Sequence, residues 1–258
     1  MLLAIDIGNT HIVIGVYRGR DLVARWRAAT DRDRTADECA VLLRNFFAGD
    51  GLALTEVEGA IISSVVPPMT PTFCELVSDY LGITPLVVGP DIETGVEIRY
   101  DNPHEVGADR VVNALAASRL YGTPAIVVDF GTATTFDAVS AAGEYLGGAI
   151  APGIGISVEA LFRYTAKLPR IELAMPRRVV GKTTVESMQS GVLFGYVGLV
   201  EGLVARIREE LGGQACVIAT GGLAHVIAKE APCLEVVDEN LTLEGLRLMY
   251  EMNQLADG

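Results

Sequence analysis

The sequence predicts an α/β fold of two related halves, each a mixed β-sheet flanked by helices. The first observation is a repeat: Asp6-Ile7-Gly8 and Asp129-Phe130-Gly131 each end a short apolar run, 123 positions apart in a chain of 258 residues. The second is that each repeat opens a set of three strand-like segments, after which helix-like and strand-like segments alternate, as in mixed sheets covered by helices. A repeat of this length indicates two similar domains, predicted here as residues 1–122 and 123–258.

The first half is predicted to begin with a three-stranded meander at 2–5, 12–17 and 21–29. Thr35-Ala36-Asp37-Glu38 has the spacing of a capping box and predicts a helix that reaches about residue 48. A strand at 59–66, a helix at 71–81 and a short strand at 85–88 follow. A further helix is predicted to start near Asp109 and to end at Tyr121.

The second half repeats the meander at 125–150 and continues with a helix at 157–164 and a long loop at 167–180. Thr183-Thr184-Val185-Glu186 predicts another capped helix, which extends to about residue 211. Its glycines at 191, 195, 198 and 202 predict close packing against a second helix, either within the chain or across a subunit interface. The predicted elements that remain are a strand at 215–219, a turn at 220–222, a short helix at 223–229, a strand at 234–237 and a helix at 242–255.

The composition argues against several classes of protein. The formal net charge is −13, whereas proteins that bind nucleic acid usually carry a basic face. The four cysteines include no Cys-x-x-Cys pair and no histidine at zinc spacing, as expected for reduced thiols. The N-terminal segment lacks the basic start of a signal peptide, and no run approaches the roughly 18 apolar residues of a membrane span. We therefore predict a soluble, cytoplasmic protein without nucleic-acid or membrane partners.

The turns after Asp6 and Asp129 have the chemistry of a nucleotide site. Glycine lets the backbone bend sharply and approach a ligand closely, and backbone N–H groups in such a turn bind phosphate. A carboxylate beside phosphate requires a bridging Mg²⁺ or an ordered water. Two such turns resemble the nucleotide site of the actin-like (ribonuclease H-like) ATPases and of the acetate and sugar kinases. This resemblance implies two actin-like domains with an interdomain cleft.

Other glycine-containing segments do not match standard nucleotide motifs. Gly181-Lys182-Thr183 is not a P-loop, because Pro176 stands where the first glycine is required. Gly153-Ile154-Gly155 lacks the third glycine of a dinucleotide fingerprint. Thr220-Gly221-Gly222 is either an ordinary turn or, as in the actin-like superfamily, a backbone surface on which adenosine lies.

Asp109-Arg110 has two interpretations from its chemistry alone. The residues either open a helix as an exposed charged pair, or place a carboxylate base beside an arginine that binds a substrate carboxylate. The histidines match no catalytic triad and are interpreted as structural; they are His11, His104 and His225.

Several motifs taken together resemble the type III pantothenate kinase family. They are Asp6-Ile7-Gly8-Asn9-Thr10, Tyr100-Asp101-Asn102-Pro103, Gly107-Ala108-Asp109-Arg110, the segment 129–135, the segment 147–153 and Met188-Gln189-Ser190-Gly191. The resemblance covers the chain from residue 1 to about residue 248. One departure is Thr183, where the family often has Asn.

The resemblance implies an activity and a set of ligands. The protein would use ATP to phosphorylate the primary hydroxyl of pantothenate to 4'-phosphopantothenate, the first step of coenzyme A synthesis. It would require Mg²⁺ together with a monovalent cation, K⁺ or NH₄⁺, and it would form a homodimer.

The resemblance also implies a role for each matched residue. ATP phosphates would be held by Asp6, Ile7, Gly8, Asn9, Thr10, His11, Ile12 and Val13, with Thr132 as a further ATP contact. Asp6 would lie near Mg²⁺, and Asp129 would bind the monovalent cation. Pantothenate would contact Tyr100, Gly107, Ala108, Asp109, Arg110 and Thr184, and Asp109 would be the proton acceptor.

Two other functions share some of these features. A different small-molecule kinase of the superfamily would keep both phosphate turns but not the set Tyr100, Asp109, Arg110 and Thr184. A non-catalytic ATP-binding regulator is the second alternative, against which the retained Asp109 and the two turns argue.

Overall fold

A computed structural model describes residues 1–256 of the chain, which form two compact units. Unit 1 comprises Met1–Glu97, Asp101–Ala116 and the described residues 241–256, and unit 2 comprises Ile98–Tyr100 and Ala117–Asn240. The strands are β1 (Leu2–Ile7), β2 (His11–Arg18), β3 (Asp21–Ala29), β4 (Gly59–Ser64), β5 (Leu86–Val87), β6 (Ala125–Phe130), β7 (Ala133–Val139), β8 (Tyr145–Pro152), β9 (Cys216–Thr220) and β10 (Val236–Val237). The α-helices are α1 (Ala36–Gly49), α2 (Met69–Leu81), α3 (Ala108–Tyr121), α4 (Ile154–Tyr164), α5 (Thr184–Glu210), α6 (Ala224–Ala228) and α7 (Leu241–Ala256).

The sheet of unit 1 has the strand order β3-β2-β1-β4-β5. The predicted meander pairs antiparallel, whereas β4 runs parallel to β1 and β5 runs parallel to β4. The sheet is therefore mixed, as the sequence predicts, because short hairpins join strands antiparallel, whereas parallel strands need a longer crossover connection.

The two faces of this sheet carry different residues. Leu3, Ile5 and Ile7 pack in the core that α1 and α2 cover. Ala4 and Asp6 alternate with them and face the other side, where α7 packs against β1 and β4. On that side Thr242 of α7 donates a hydrogen bond to Asn113 of α3 over 2.8 Å. The first turn of α1 contains the predicted capping box, formed reciprocally by Thr35 and Glu38.

Unit 2 repeats this arrangement strand for strand. Its sheet has the order β10-β9-β6-β7-β8, with β6, β7 and β8 antiparallel and β9 parallel to β6. Each strand therefore occupies the position of the corresponding strand in unit 1. Ile126, Val128 and Phe130 pack in a core that also contains buried residues of α5. The predicted fold class, two related mixed sheets flanked by helices, is confirmed.

The compact units do not coincide with the ranges predicted for the two domains. α7 lies in sequence within 123–258 but belongs to unit 1, because it packs against β1, β2 and β4. Tyr17 of β2 donates a hydrogen bond to Glu244 of α7 over 3.0 Å. The ranges 1–122 and 123–258 remain our proposal for the two actin-like domains.

Several element ends differ from the prediction by a few residues. β4 ends at Ser64 rather than at residue 66, because the Ser64 hydroxyl accepts a hydrogen bond from the Val66 N–H over 3.2 Å and turns the chain out of the sheet. α4 begins at Ile154 rather than at residue 157, directly after Gly153. β10 is reduced to Val236–Val237.

Helix α5 has more than one interpretation by composition. Among residues 1–256 it is the one helix long and apolar enough to cross a membrane. A stretch of 18 residues within it has a mean hydropathy of 1.4. The helix contains no unbroken apolar run of 18 residues, because Glu201 interrupts the segment. Its length and hydropathy are weak evidence for a span, because the core helix of a water-soluble protein passes the same test, and Leu193 and Val200 of α5 are fully buried in unit 2.

The glycines of α5 do not make the close intramolecular crossing that was one of two predicted alternatives. Side-chain carbons built at Gly191, Gly195 and Gly198 would lie more than 4 Å from any neighbouring element of the described chain. The other alternative, a subunit interface, stays a prediction.

Candidate active site

The turn after β1 presents polar groups at the end of the unit 1 sheet. The Gly8 N–H donates to the His11 carbonyl over 3.0 Å, so this N–H is used by the turn itself. Thr30 donates its hydroxyl to the Gly8 carbonyl over 2.6 Å, which ties the turn to the end of β3. Asn9 and Thr10 are exposed at the tip, and they are the residues of the turn most accessible to a phosphate.

The other predicted residues of this segment lie on the strands beside the turn. Ile7 and Ile12 are fully buried in the core, so only their backbone is available to a ligand. His11 is exposed and Val13 is half-buried. Arg32, which the sequence analysis did not single out, donates to the side-chain oxygen of Asn9 over 3.2 Å and brings a positive charge to the turn.

Asp6 stands beside a serine on the neighbouring strand. β1 and β4 are parallel, and Asp6 is in register with Ser63. Residues in register on neighbouring strands point to the same face, so the Asp6 carboxylate and the Ser63 hydroxyl share the face that α7 covers. Asp6 is half-buried and Ser63 is fully buried.

The start of α3 lies at the same edge of unit 1. The Val65 N–H donates to the Ile7 carbonyl over 3.0 Å, which places Val65 just beyond the ends of β1 and β4. Val65 in turn lies against Gly107, the residue before α3. A side chain at Gly107 would lie 2.6 Å from Asp109 Oδ1, so glycine is needed for this carboxylate position. The structure therefore brings Asp6 and Asp109 to one edge of one unit.

The environment of Asp109 changes its acidity. Burial raises the pKa of the Asp109 carboxyl, because a charge is costly away from water. The hydrogen bond from the Arg110 N–H and the positive charge of Arg110 oppose this rise without cancelling it. A carboxyl with a raised pKa is a better proton acceptor than an ordinary aspartate. Arg110 itself is 8% exposed.

A glycine directly after β9 lies against the second turn, in unit 2. Asp129 of β6 is in register with Thr220 of β9, the pairing that Asp6 makes with Ser63. Gly221 follows with φ +89°, and a side chain there would lie 2.5 Å from Asp129 Oδ1. Thr220-Gly221-Gly222 is therefore a turn that leaves space for the Asp129 carboxylate. Thr132 is exposed at the tip after β6.

A small hydrogen-bond network lies beside Asp129 on the same face of the sheet. Thr135 is in register with Asp129 and donates its hydroxyl to Asp137 over 3.1 Å. Tyr145 donates its hydroxyl to the other oxygen of Asp137 over 3.0 Å. The ring of Tyr100 lies 6.4 Å from that of Tyr145, centre to centre. The predicted substrate residue Tyr100 thus lies on the same face of unit 2 as Asp129.

Thr184 is the first residue of α5. Thr183 caps this helix by accepting a hydrogen bond from the Glu186 N–H over 3.1 Å. The Glu186 side chain returns to the Lys182 N–H over 2.8 Å rather than to Thr183, so only one arm of the predicted capping box forms as expected. Thr184 is exposed at the positive end of a 27-residue helix dipole, a position that suits an anionic group.

The described residues suit a metal that is shared with phosphate rather than one enclosed by protein. Residues 1–256 contain no group of three or more His, Cys, Asp or Glu side chains able to hold a metal ion. Mg²⁺ is usually bound by one or two carboxylates together with substrate phosphates and water. A single carboxylate beside a turn with exposed polar groups, as at Asp6, fits this ligand set.

Tertiary structure adds residues that the sequence analysis did not select. Ser63 and Thr220 stand beside the two predicted aspartates, and Asp137, which accepts hydrogen bonds from Thr135 and Tyr145, lies on the strand next to that of Asp129. Ser63 and Thr220 carry no local signal, because their register with the aspartates is set between strands that are distant in sequence. No local signal distinguishes Asp137 from other strand residues.

Comparison with known proteins identifies the family of this chain. The model of the family described as type III pantothenate kinase matches residues 2–206. A type III pantothenate kinase from Moorella thermoacetica is 56% identical over 253 residues, covering 98% of this chain and 100% of the relative.

Two solved structures show the fold at low identity. The activator of the 2-hydroxyisocaproyl-CoA dehydratase from Clostridium difficile with bound ADPNP has a TM-score of 0.56 and 14% identity, over 99% of this chain and 96% of that one. The inorganic polyphosphate/ATP-glucomannokinase from Arthrobacter sp. strain KM has a TM-score of 0.51 and 16% identity, over 97% and 98%. These likenesses support the predicted actin-like and sugar-kinase fold. With the family match over most of its length, the chain belongs to the type III pantothenate kinase family.

Proposed function

We propose that this chain catalyses the ATP-dependent phosphorylation of pantothenate, the first step of coenzyme A synthesis, as its family membership supports. The observation that carries the proposal is the position of Asp109. Its carboxyl has a raised pKa and lies at the edge of unit 1 that also carries the Asp6 turn.

The ATP phosphates are assigned to the turn after β1. Asn9 and Thr10 offer exposed polar groups, and Arg32 adds a positive charge beside them. Asp6 is assigned to Mg²⁺, which when bound neutralises charge on the phosphate oxygens. Thr132 of unit 2 is assigned as a further ATP contact. Ile7 and Ile12 are assigned a backbone role only, since their side chains are buried.

Pantothenate offers a carboxylate, an amide and two hydroxyls. Arg110 is assigned to the carboxylate, because a guanidinium binds carboxylates with two parallel hydrogen bonds. Gly107 and Ala108 shape the backbone beside it. Tyr100 and Thr184 are assigned to the polar groups of the substrate, through their hydroxyls.

Asp109 acts on the hydroxyl that is phosphorylated. Its carboxylate accepts a hydrogen bond from the primary hydroxyl and orients the oxygen toward the γ-phosphorus. The oxygen–phosphorus bond forms as the bond to ADP breaks, and the hydroxyl proton passes to Asp109. Phosphoryl transfer has a loose transition state, so positioning contributes more than the strength of the base.

The remaining proposals concern the monovalent cation and the assembly. Asp129 is assigned as a ligand of K⁺ or NH₄⁺, beside the oxygen-bearing side chains Thr135 and Thr220. We assign the protein a cytoplasmic location and a homodimeric state. The exposed glycine face of α5 is a candidate contact surface for the second subunit.

A coupled ADP-release assay tests the reaction. It combines ATP, Mg²⁺ and pantothenate, in K⁺ and again in Na⁺. ADP that appears only with pantothenate, and faster in K⁺, is the expected result. ATP binding without turnover in either salt would reject the proposal and favour a regulator or a kinase for another hydroxyl substrate.

A further inference from the structure

Ser63 is a buried polar residue with an unusual environment. Its side chain is fully buried, and within residues 1–256 its hydroxyl has no hydrogen-bond partner. Buried hydroxyl groups are nearly always paired, because an unpaired one loses its hydrogen bonds to water without replacement. The exception calls for a physical reason.

The neighbour of Ser63 is Asp6. The two residues are in register on parallel strands, which lie about 4.8 Å apart, and both side chains point to the same face. A serine hydroxyl on one strand can therefore reach a carboxylate on the next, either directly or through one water. The next residue, Ser64, points to the opposite face, and its hydroxyl is already bonded to the backbone of Val66.

The internal repeat places a hydroxyl at the same position in unit 2. There Thr220 is in register with Asp129 and is 3% exposed. In each unit, the parallel strand beside the site aspartate thus carries a buried hydroxyl residue in register with that aspartate. Packing alone does not require a hydroxyl at either position, since none of the other residues of β4 and β9 on this face carries one; they are Gly59, Ile61, Cys216 and Ile218.

We propose that Ser63 is a positioning residue for the metal-bound state of Asp6. When Asp6 engages Mg²⁺ with the nucleotide, the Ser63 hydroxyl donates a hydrogen bond to the Asp6 carboxylate or to a water bound between them. This bond fixes the orientation of the carboxylate, as outer-shell partners of metal ligands do. The inference rests on the proposed role of Asp6.

The bond also explains why an unpaired hydroxyl is kept in the core. Its cost falls on the free protein, and its benefit appears only with Mg²⁺ and nucleotide bound. A purely structural serine would show the opposite pattern, since its removal would change the stability of the free protein and leave Mg²⁺ binding unchanged.

Calorimetric titration of a non-hydrolysable ATP analogue, with Mg²⁺ and with EDTA, separates these cases. The quantity of interest is the factor by which Mg²⁺ strengthens analogue binding. In Ser63→Ala we expect this factor to fall by about tenfold, the lower end for outer-shell substitutions. Binding in EDTA should stay at the wild-type value, and the Tm of the free protein should not fall. Ser64→Ala is the matched control and should keep the wild-type factor.

Three further variants keep the test decisive. Asp6→Asn should lose the Mg²⁺ factor; if it does and Ser63→Ala does not, this inference is wrong and the proposed function stands. If Asp6→Asn keeps the factor, the proposed metal role of Asp6 fails first. Should Ser63→Ala lower the Tm, the equally sized pair Ser63→Thr and Ser63→Val repeats the comparison. Ser63→Thr must then keep the factor by which Mg²⁺ strengthens analogue binding, and Ser63→Val must lose it. Equal factors in the two variants would overturn the proposal.

Discussion

The carboxylate of Asp109 accepts a hydrogen bond from the backbone N–H of Arg110 over 2.8 Å, at the first turn of α3. The bond fixes the carboxylate at the helix start, where Gly107 leaves space for it. One carboxylate is thus both positioned by the backbone and raised in pKa by burial. Three of the predictions below follow from this arrangement.

Asp109→Asn should remove most turnover and leave nucleotide binding intact. The amide cannot accept the hydroxyl proton, and loss of a general base typically costs about 10²–10⁴-fold in rate. ADP release measures the rate, and calorimetric titration of ATP measures binding. Wild-type turnover in the variant would refute the assignment of Asp109 as proton acceptor.

The acid limb of the pH–rate profile should lie above the range of an ordinary aspartate. Burial raises the pKa of Asp109, and only the ionised carboxylate accepts a proton. Activity should therefore fall as the pH drops through this raised pKa, rather than near the reference value of about 3.9. The profile of kcat/KM reports the group in the free enzyme. A profile that stays flat down to the reference value contradicts this prediction.

Asp109→Asn should also stabilise the free protein at neutral pH. Because the folded pKa of Asp109 is raised, its stabilising contribution is present below the unfolded pKa and is lost as the pH rises through the folded pKa. At neutral pH the buried charge is a cost that Asn does not carry. The Tm of Asp109→Asn should exceed that of wild type at pH 7.5, and the difference should shrink toward pH 4. A lower Tm at both pH values would show that burial of the charge is not the dominant effect.

Asp129→Ala should abolish the difference between K⁺ and Na⁺ in the ADP-release assay. The variant removes the carboxylate proposed as cation ligand, while the strand pairing of β6 is made by backbone groups and remains. Residual activity should be equal in the two salts. An unchanged K⁺ dependence would place the cation elsewhere.

Gly221→Ala should displace the Asp129 carboxylate, in addition to destabilising the backbone at position 221. A left-handed residue with a side chain costs roughly 1–2 kcal/mol. Gly122 is the matched control, since its φ of +86° is close to the +89° of Gly221, and a side chain there would meet nothing within 4 Å. We expect both variants to lose stability in urea unfolding. Only Gly221→Ala should also weaken the response to K⁺, and an equal loss in both variants without that effect would disprove the contact.

Much of the site was predictable from local patterns. The turns after Asp6 and Asp129 are marked by apolar strands that end in an acid and a glycine, and the helix start at Asp109 by the residues around it. These signals are local, because a turn or a helix start depends on residues adjacent in sequence. The repeat of 123 residues, also visible in the sequence, predicted two similar sheets.

Sequence patterns were thus enough to predict the fold class, the turns after Asp6 and Asp129, and the family resemblance. Tertiary structure alone decided which residues stand beside the aspartates. Ser63 meets Asp6 across a parallel pair whose strands are separated by more than 50 positions, and Thr220 meets Asp129 across more than 80. It also placed α7 in unit 1, far from its neighbours in sequence. The physical reason is that register between distant strands and the packing of a terminal helix depend on burial over the whole core, which no local pattern records.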